Sequence, residues 1–302
     1  MSPYVPGMQQ VATGIEPIDR REGFLVGAVV GAALAAATAG CPDAAAVQAV
    51  LVDGDVAPLA QIPGRRRGST ALADELLVEL TGGGVDLHRL AGRWVAWHEQ
   101  DGLESDALLA AALDHLREFD APVTTLRSGS VAALAAALPA ALAGGSPRGM
   151  VAGAFHIARL LDPAETTALA AVAVVIAAAA FLEGRRDFIA DVVAALRAND
   201  APGELVDAMR TIPRDPRAPP PLPRGDTPDP VAAATWLLWG AYHRPRGADA
   251  LRELALCGGI APTVGAVAGA LFGARDGISG WPAAWLAGED VVSRRALAMR
   301  LG

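Results

Sequence analysis

The chain has 302 residues, a net charge of −8 and 25 basic residues, all of them arginine. The absence of lysine excludes Schiff-base chemistry and a phosphate-binding P-loop, because both need the lysine ammonium group. An acidic chain without a diffuse basic surface is not expected to bind nucleic acid. With 52% hydrophobic and 19% charged residues, the composition is typical of a folded globular protein.

The N-terminal segment predicts the compartment. Its first residues contain no basic stretch followed by an apolar one, so we expect no signal peptide and a cytoplasmic protein. Residues 168–182 are the most apolar stretch, but they are shorter than the roughly twenty residues that a membrane-spanning helix needs. We therefore expect a buried central helix there and no membrane contact. Cys41 and Cys257 lack metal-binding or redox spacing and are expected to be buried thiols.

Helix-forming residues dominate the periodic parts of the chain, and no segment predicts a strand. We expect an all-α protein of roughly a dozen helices. The long helices are predicted near 22–37, 69–81, 86–100, 105–119, 129–143, 164–183, 187–199, 230–242 and 263–274. Two helix starts carry clear signals, because Asp162 and Asp229 each precede a proline and are N-cap candidates.

Residues 213–230 interrupt the helical pattern. They contain eight prolines, which favour an extended loop or lid over a helix. The segment could also be a linker between domains, but the remaining residues of the chain, about seventy, would form a small core. We therefore expect one domain at 20–302, preceded by an N-terminal extension at 1–19.

Two helices each present a row of glycines four residues apart. The rows are Gly23, Gly27 and Gly31 in one helix, and Gly265, Gly269 and Gly273 in the other. Residues four apart share a helix face, so each helix offers a groove almost without side chains. The main interpretation is close packing against another helix, and the alternative is a ligand that rests on the glycine face.

Four segments together resemble motifs of the ADP-ribosylglycohydrolases, in the same order. Residues 21–34 resemble the opening helix RGxLLGxAVGDALG, and residues 85–97 are similar to the DLAxRFVAW helix. Residues 257–273 resemble GGDTDTxAAxAGALxGA, and residues 278–281 resemble the short closing motif IP…W. The resemblance implies a compact helical bundle that uses two magnesium ions to bind ADP-ribose and hydrolyse its bond to a side chain or small group.

The same resemblance implies that the magnesium ligands are missing. Magnesium requires oxygen ligands, above all carboxylates, and the family supplies them from the TDDT, GGDTDT and GDALG motifs. The acid of GDALG corresponds to Ala32, and of the last GGDTDT positions only Thr263 retains the family residue. The TDDT motif corresponds to Arg66, Arg67, Gly68 and Ser69, and the two aspartates of GGDTDT correspond to Ile260 and Pro262. We call Arg66, Arg67, Gly68, Ile260 and Pro262 the vestigial metal-site positions. We therefore predict that no metal cofactor is bound.

Other positions that the resemblance places at the ligand are also changed. The SNGxxMR segment corresponds to residues 128–134, and the Thr-His pair of the family corresponds to Leu161 and Asp162. The ligand-pocket candidates are Arg66, Arg67, Ser69, Ser128, Ser130, Asp162, Gly258, Gly259 and Thr263. Each has an ordinary alternative: the arginines as a solvated loop, and the serines and the aspartate as helix caps.

Three functional hypotheses follow. In the first, the chain is a pseudoenzyme that binds an ADP-ribose-like or other anionic small molecule, or a protein partner, because arginine binds phosphate without a metal. In the second, the chain is a metal-independent enzyme for a nucleotide-derived or specialised metabolite. In the third, the chain is a scaffold whose fold alone matters, and side chains fill the space where the family binds its ligand. The five histidines lack the two-histidine spacing of a metal site and are given no role.

Overall fold

The computed structural model describes residues 14–51, 68–101, 107–119, 130–143, 145–225 and 229–301. This part of the chain is helical, with two isolated backbone bridges and no strand, so the predicted all-α class is confirmed. The helices are α1 Pro17–Thr38, α2 Ala44–Val50, α3 Gly68–Thr81, α4 Leu87–Asp101, α5 Ala107–Phe119, α6 Ala132–Ala137, α7 Pro147–Leu161, α8 Glu165–Leu182, α9 Ile189–Ala198, α10 Gly203–Thr211, α11 Pro230–His243, α12 Gly247–Leu256, α13 Pro262–Asp276 and α14 Glu289–Arg300. Short 3₁₀ turns cover Leu138–Leu142, Ile278–Gly280 and Ala283–Leu286.

The predicted helices are found, and the differences have local causes. The helix predicted at 129–143 is divided into α6 and a 3₁₀ turn, because Pro139 cannot donate the backbone hydrogen bond that would continue α6. The N-cap prediction for Asp162 is wrong, since α8 begins only at Glu165 with Ala164 as its N-cap residue. The N-cap prediction for Asp229 is confirmed, because its carboxylate accepts from the N–H of Ala232 at 2.8 Å.

Helix α8 is the central helix of the core. Its residues 167–178 are all buried, and it contacts α6, α7, α9, α11 and α13. By length and composition alone, α1 and α8 could cross a membrane, but 67% and 78% of their apolar windows are buried inside the protein. Such burial is what a core helix shows, and the absence of membrane contact stays a prediction.

The two glycine rows face each other, so close helix packing is the interpretation that the structure supports. A Cβ atom at Gly27 would lie 2.1 Å from the carbonyl oxygen of Gly269, and one at Gly31 would lie 2.0 Å from that of Gly265. Gly23 meets Gly273 in the same way. The pairs run in opposite directions along the chain, so α1 and α13 are antiparallel. We call this contact the glycine seam.

Two buried arginines show how the core helices are oriented. Arg20, near the start of α1, donates to the carbonyl of Phe181 at the end of α8 and to that of Arg275 at the end of α13. Arg275 in turn donates to the carbonyl of Ala241 near the end of α11. The C-terminal ends of α8, α11 and α13 are therefore together, and these three helices run in the same direction.

The proline-rich segment forms a loop along α11, as predicted for an extended segment. At one end, the indole of Trp239 donates to the carbonyl of Asp215 at 3.4 Å. At the other end, the N–H of Gly225 donates to the carbonyl of Gly259 at 2.8 Å. The division into an extension at 1–19 and a domain at 20–302 stays a prediction, although α1 already begins at Pro17.

Candidate functional site

The N-terminal ends of several core helices meet at the end opposite to the buried arginines. The last turn of α1 lies beside the start of α13, because the carbonyl of Thr38 accepts from the N–H of Gly259 at 3.2 Å. The start of α11 is close as well, since Gly225 pairs with Gly259 only five residues before Pro230. We call this region the N-terminal end of the core.

Helices α6 and α8 also begin at this end. Helix α7 packs against both α6 and α8 and is joined to them by short connections, so it runs antiparallel to each. Ser130, before α6, and Asp162, before α8, therefore lie at the same end of this three-helix unit. The helix dipole places partial positive charge at each helix start. The starts of α8 and α13 carry no side-chain cap, so these two are the ones that favour an anion.

The loop before α13 has the shape of a tight turn. Gly258 and Gly259 have φ angles of 69° and 62°, in the left-handed region that glycine adopts without strain. A Cβ atom on Gly258 would lie 2.6 Å from the carbonyl oxygen of Cys41. The N–H groups of both glycines donate to protein carbonyls, at Ala255 and Thr38. These N–H groups therefore hold the turn and are not available to a ligand.

The residues that follow the turn are apolar or only partly accessible. Ile260 is fully buried, whereas Pro262, Thr263 and Ala32 are partly exposed. The backbone of Ile260 is bridged to those of Arg224 and Gly225 in the proline-rich segment. The start of α13 is therefore covered on one side by this segment.

Two candidate polar side chains at this end have different environments. Ser130 is 4% exposed, and its Oγ accepts from the N–H of Ala132 at 3.1 Å. Ser130 is not the helix cap that was one interpretation of its sequence position, because Val131 is the N-cap residue of α6. Asp162 is fully buried, and its Oδ1 accepts from the N–H of Ala164 at 2.8 Å. Its Oδ2 is also buried and has no hydrogen-bond partner among the described residues. A buried acceptor without a partner is costly, so Asp162 is the candidate with unused hydrogen-bonding capacity.

The family model of the ADP-ribosylglycohydrolases matches residues 13–301 of the chain. The chain belongs to the ADP-ribosylglycohydrolase family. A solved structure titled "ADP-ribosylglycohydrolase-related protein complex" is similar, with a TM-score of 0.75, 22% sequence identity, and coverage of 95% of this chain and 98% of the other. No curated protein matches the chain in sequence.

Several candidate residues of this family member lie outside the described residues. Arg66, Arg67 and Ser128 are among them, and of Ser69 only the backbone is described. Gly68 is the first residue of α3, and its φ of 37° lies in the left-handed region. The role of the arginines therefore stays a prediction.

The residues at the predicted metal positions do not fit a pair of magnesium ions. Ile260, Pro262, Ala32 and Gly68 have no side-chain oxygen, whereas magnesium needs carboxylates in near-octahedral arrangement. Among the described residues, no group of three or more His, Cys, Asp or Glu side chains could hold a metal ion. No chemical step through a metal is therefore derived for this chain.

Arg224 is a candidate ligand residue that the sequence patterns did not indicate. It is exposed, and its backbone is bridged to Ile260, one of the vestigial metal positions. The pairing connects residues 36 positions apart, so no local pattern could predict it. Its backbone therefore lies beside the start of α13.

Proposed function

We propose that this member of the ADP-ribosylglycohydrolase family is a pseudoenzyme that binds an ADP-ribose-like or other anionic ligand without magnesium. The observation that carries the proposal is the change of side chains at one place on an unchanged scaffold. By the resemblance of residues 257–273 to the GGDTDT segment, Ile260 and Pro262 correspond to metal-ligand positions, while the glycine seam that follows them is complete. Such a protein keeps the family fold and lacks the family route to an activated water.

Charge at the N-terminal end of the core supports an anionic ligand. The starts of α8 and α13 lie there without a side-chain cap, and backbone N–H groups at helix starts bind phosphate and carboxylate groups. Arg224 is placed beside this end by its backbone bridge to Ile260. In the sequence, Arg66 and Arg67 directly precede α3, and a guanidinium binds a phosphate through two parallel hydrogen bonds.

The test is calorimetric titration of the full chain with ADP-ribose, once with EDTA and once with magnesium chloride. We expect the same dissociation constant in both, because no step of binding needs the metal. Arg66→Ala combined with Arg67→Ala should weaken binding at least tenfold, which corresponds to about 1.4 kcal/mol. Arg197→Ala is the matched control, since this arginine is exposed on α9, and it should bind as the wild type does.

Three results would overturn the proposal. Binding that requires magnesium would mean that the chain still holds the metal, and release of ADP-ribose from ADP-ribosylated arginine in magnesium would mean that it is still a family hydrolase. No binding under either condition would remove the ligand part and favour the scaffold or protein-partner hypothesis.

A second candidate function is a metal-independent enzyme, and one observation favours it. The unpartnered Oδ2 of Asp162 is a buried carboxylate oxygen, the kind of group that can accept a proton from a substrate. If so, ADP-ribosylated arginine should be cleaved in EDTA by the wild type and not by Asp162→Asn. Equal absence of cleavage in both proteins would exclude this reaction and leave the pseudoenzyme proposal.

A further inference from the structure

The chain contains two cysteines, and the fold brings them to one contact. Cys41 follows the end of α1, and Cys257 is the C-cap residue of α12. They lie near opposite ends of the sequence, so no local pattern predicts that they meet. Both stand beside the turn at Gly258 and Gly259 that leads into α13.

Backbone contacts show how close the two cysteines are. The N–H groups of Cys41 and Gly259 both donate to the carbonyl of Thr38, at 3.0 and 3.2 Å. A Cβ atom on Gly258 would lie 2.6 Å from the carbonyl oxygen of Cys41. Because Cys257 directly precedes Gly258, this contact limits the distance between the two cysteine Cα atoms to about 10 Å at most. The fold therefore makes neighbours of these two distant residues.

The two thiols differ in their access to solvent. Both are free, and Cys41 is buried whereas Cys257 is partly exposed. The sequence-based prediction of buried thiols is therefore confirmed for Cys41 and wrong for Cys257. An oxidant in solution reaches the accessible thiol first, and a buried thiol reacts with a group beside it. This difference assigns the first oxidation to Cys257 and the second step to Cys41.

We propose that Cys41 and Cys257 are a redox-active pair that a peroxide converts to a disulfide. The Cys257 thiolate attacks one peroxide oxygen, so the O–O bond breaks, an S–O bond forms, and a sulfenic acid and water result. The sulfur of Cys41 then attacks the sulfur of Cys257. The S–S bond forms, the S–O bond breaks, and hydroxide leaves with the Cys41 proton as a second water. Two thiols lose two electrons, and hydrogen peroxide accepts them.

The disulfide ties the end of α12 to the connection between α1 and α2. Its two Cα atoms stand about 4.4–6.8 Å apart, and the turn takes up any remaining distance, because glycine changes its backbone angles at little cost. The turn leads directly to Ile260, one of the vestigial metal-site positions. The proposal concerns the thiols alone and does not depend on the proposed binding of ADP-ribose.

The test treats the reduced full chain with hydrogen peroxide and follows the product by mass spectrometry. We expect a mass loss of two hydrogen atoms and, after trypsin digestion without reductant, a linked pair of peptides that carry Cys41 and Cys257. The same chain in guanidinium chloride is the matched control. Unfolding separates the cysteines by a long loop, so the disulfide should form roughly tenfold more slowly or less. Equal rates in the folded and unfolded chain would overturn the proposal.

Two serine variants separate the roles of the thiols, with dimedone as a trap for sulfenic acid. In Cys41→Ser, peroxide should leave a dimedone adduct on Cys257, because nothing displaces the sulfenic acid. In Cys257→Ser, Cys41 should stay unlabelled, because it is buried. Circular dichroism checks that both variants fold. Labelling of Cys41 in the folded Cys257→Ser chain, or an unlabelled Cys257 in Cys41→Ser, would contradict the order of the two steps.

A second measurement needs no variant. Hydrogen–deuterium exchange of the oxidised wild-type chain should be slower than that of the reduced chain in the turn at Gly258 and Gly259, and unchanged in α9. The proposal is overturned if peroxide gives only sulfenic or sulfinic acid in the wild type, if it links two chains instead of two cysteines of one chain, or if exchange in the turn is the same in both forms.

Discussion

The two ends of the parallel core helices are built differently. At the C-terminal end, the carbonyls of α8, α11 and α13 receive hydrogen bonds from Arg20 and Arg275, two buried cations that complement the negative ends of the helix dipoles. At the N-terminal end, the structure shows apolar side chains at Ile260 and Pro262 and a carboxylate oxygen of Asp162 without a partner. The C-terminal end stabilises the scaffold, whereas the N-terminal end keeps a hydrogen-bond acceptor that a ligand could use.

Two buried carboxylates show the same contrast at the scale of single residues. Glu79, which is 3% exposed, accepts from Arg89 at 2.8 Å and from Arg93 at 3.1 Å. Asp162, which is fully buried, accepts from one backbone N–H, and its Oδ2 has no partner within the described part of the chain. Removing one side of a buried hydrogen-bonded ion pair is costly because the other group is left without a partner, whereas an acceptor that already lacks a partner carries this cost in the wild type. Mutations in the scaffold should therefore reduce stability far more than mutations at the N-terminal end of the core.

The largest effect is expected for Gly269→Ala in the glycine seam. Its Cβ atom would lie 1.9 Å from the backbone oxygen of Gly27, so α1 and α13 would have to separate. We expect a loss of about 3 kcal/mol in the free energy of unfolding, measured by urea denaturation. Gly92→Ala on α4 is the matched control, because nothing lies within 4 Å of its Cβ position, and it should be neutral or stabilise by about 0.5–1 kcal/mol.

A smaller loss is expected for Arg20→Met at the C-terminal end. Methionine keeps much of the length of the side chain but removes the donors to the carbonyls of Phe181 and Arg275. Leaving buried carbonyls without a partner should cost about 2 kcal/mol. Arg197→Met, on an exposed position of α9, should change stability by less than about 0.5 kcal/mol. Equal effects of the two substitutions would mean that the buried arginine does not stabilise the helix ends.

Glu79 gives a pH-dependent prediction. The hydrogen bond from Arg89 lowers the pKa of Glu79 below its ordinary value of 4.5. A lowered pKa stabilises the folded state above the ordinary value, and this contribution is lost as the pH falls through the lower folded pKa. Glu79→Gln should thus be less stable than the wild type by about 1–2 kcal/mol at pH 7. The difference should shrink below pH 4.5, and a difference that is constant down to acid pH would contradict this origin.

The sequence predicted the scaffold well because its signals are local. Helix periodicity, the Asp229 cap and the four-residue glycine spacing each depend on neighbouring residues. The exceptions were local as well: Pro139 ended α6 within a stretch that is otherwise strongly helix-forming.

The candidate site could be predicted only in part, because its geometry depends on contacts between distant segments. The ordered motifs placed Ile260 and Pro262 at the start of a helix, where they are found. They could not show that the N–H of Gly259 donates to the carbonyl of Thr38. Nor could they show that the backbone of Arg224 is bridged to that of Ile260.

The smallest effect on stability is expected for Asp162→Asn, which is the counterpart of Glu79→Gln. Asparagine keeps a carbonyl oxygen to accept from the N–H of Ala164 and replaces the buried Oδ2, which has no partner among the described residues. Its free energy of unfolding at pH 7 should therefore change by less than about 1 kcal/mol, and toward greater stability. Since the two substitutions are chemically alike, opposite signs would confirm that one carboxylate serves the scaffold and the other does not. A loss for Asp162→Asn as large as that for Glu79→Gln would mean that Oδ2 is paired in solution, and the N-terminal end of the core would then be as fully satisfied as the arginine end.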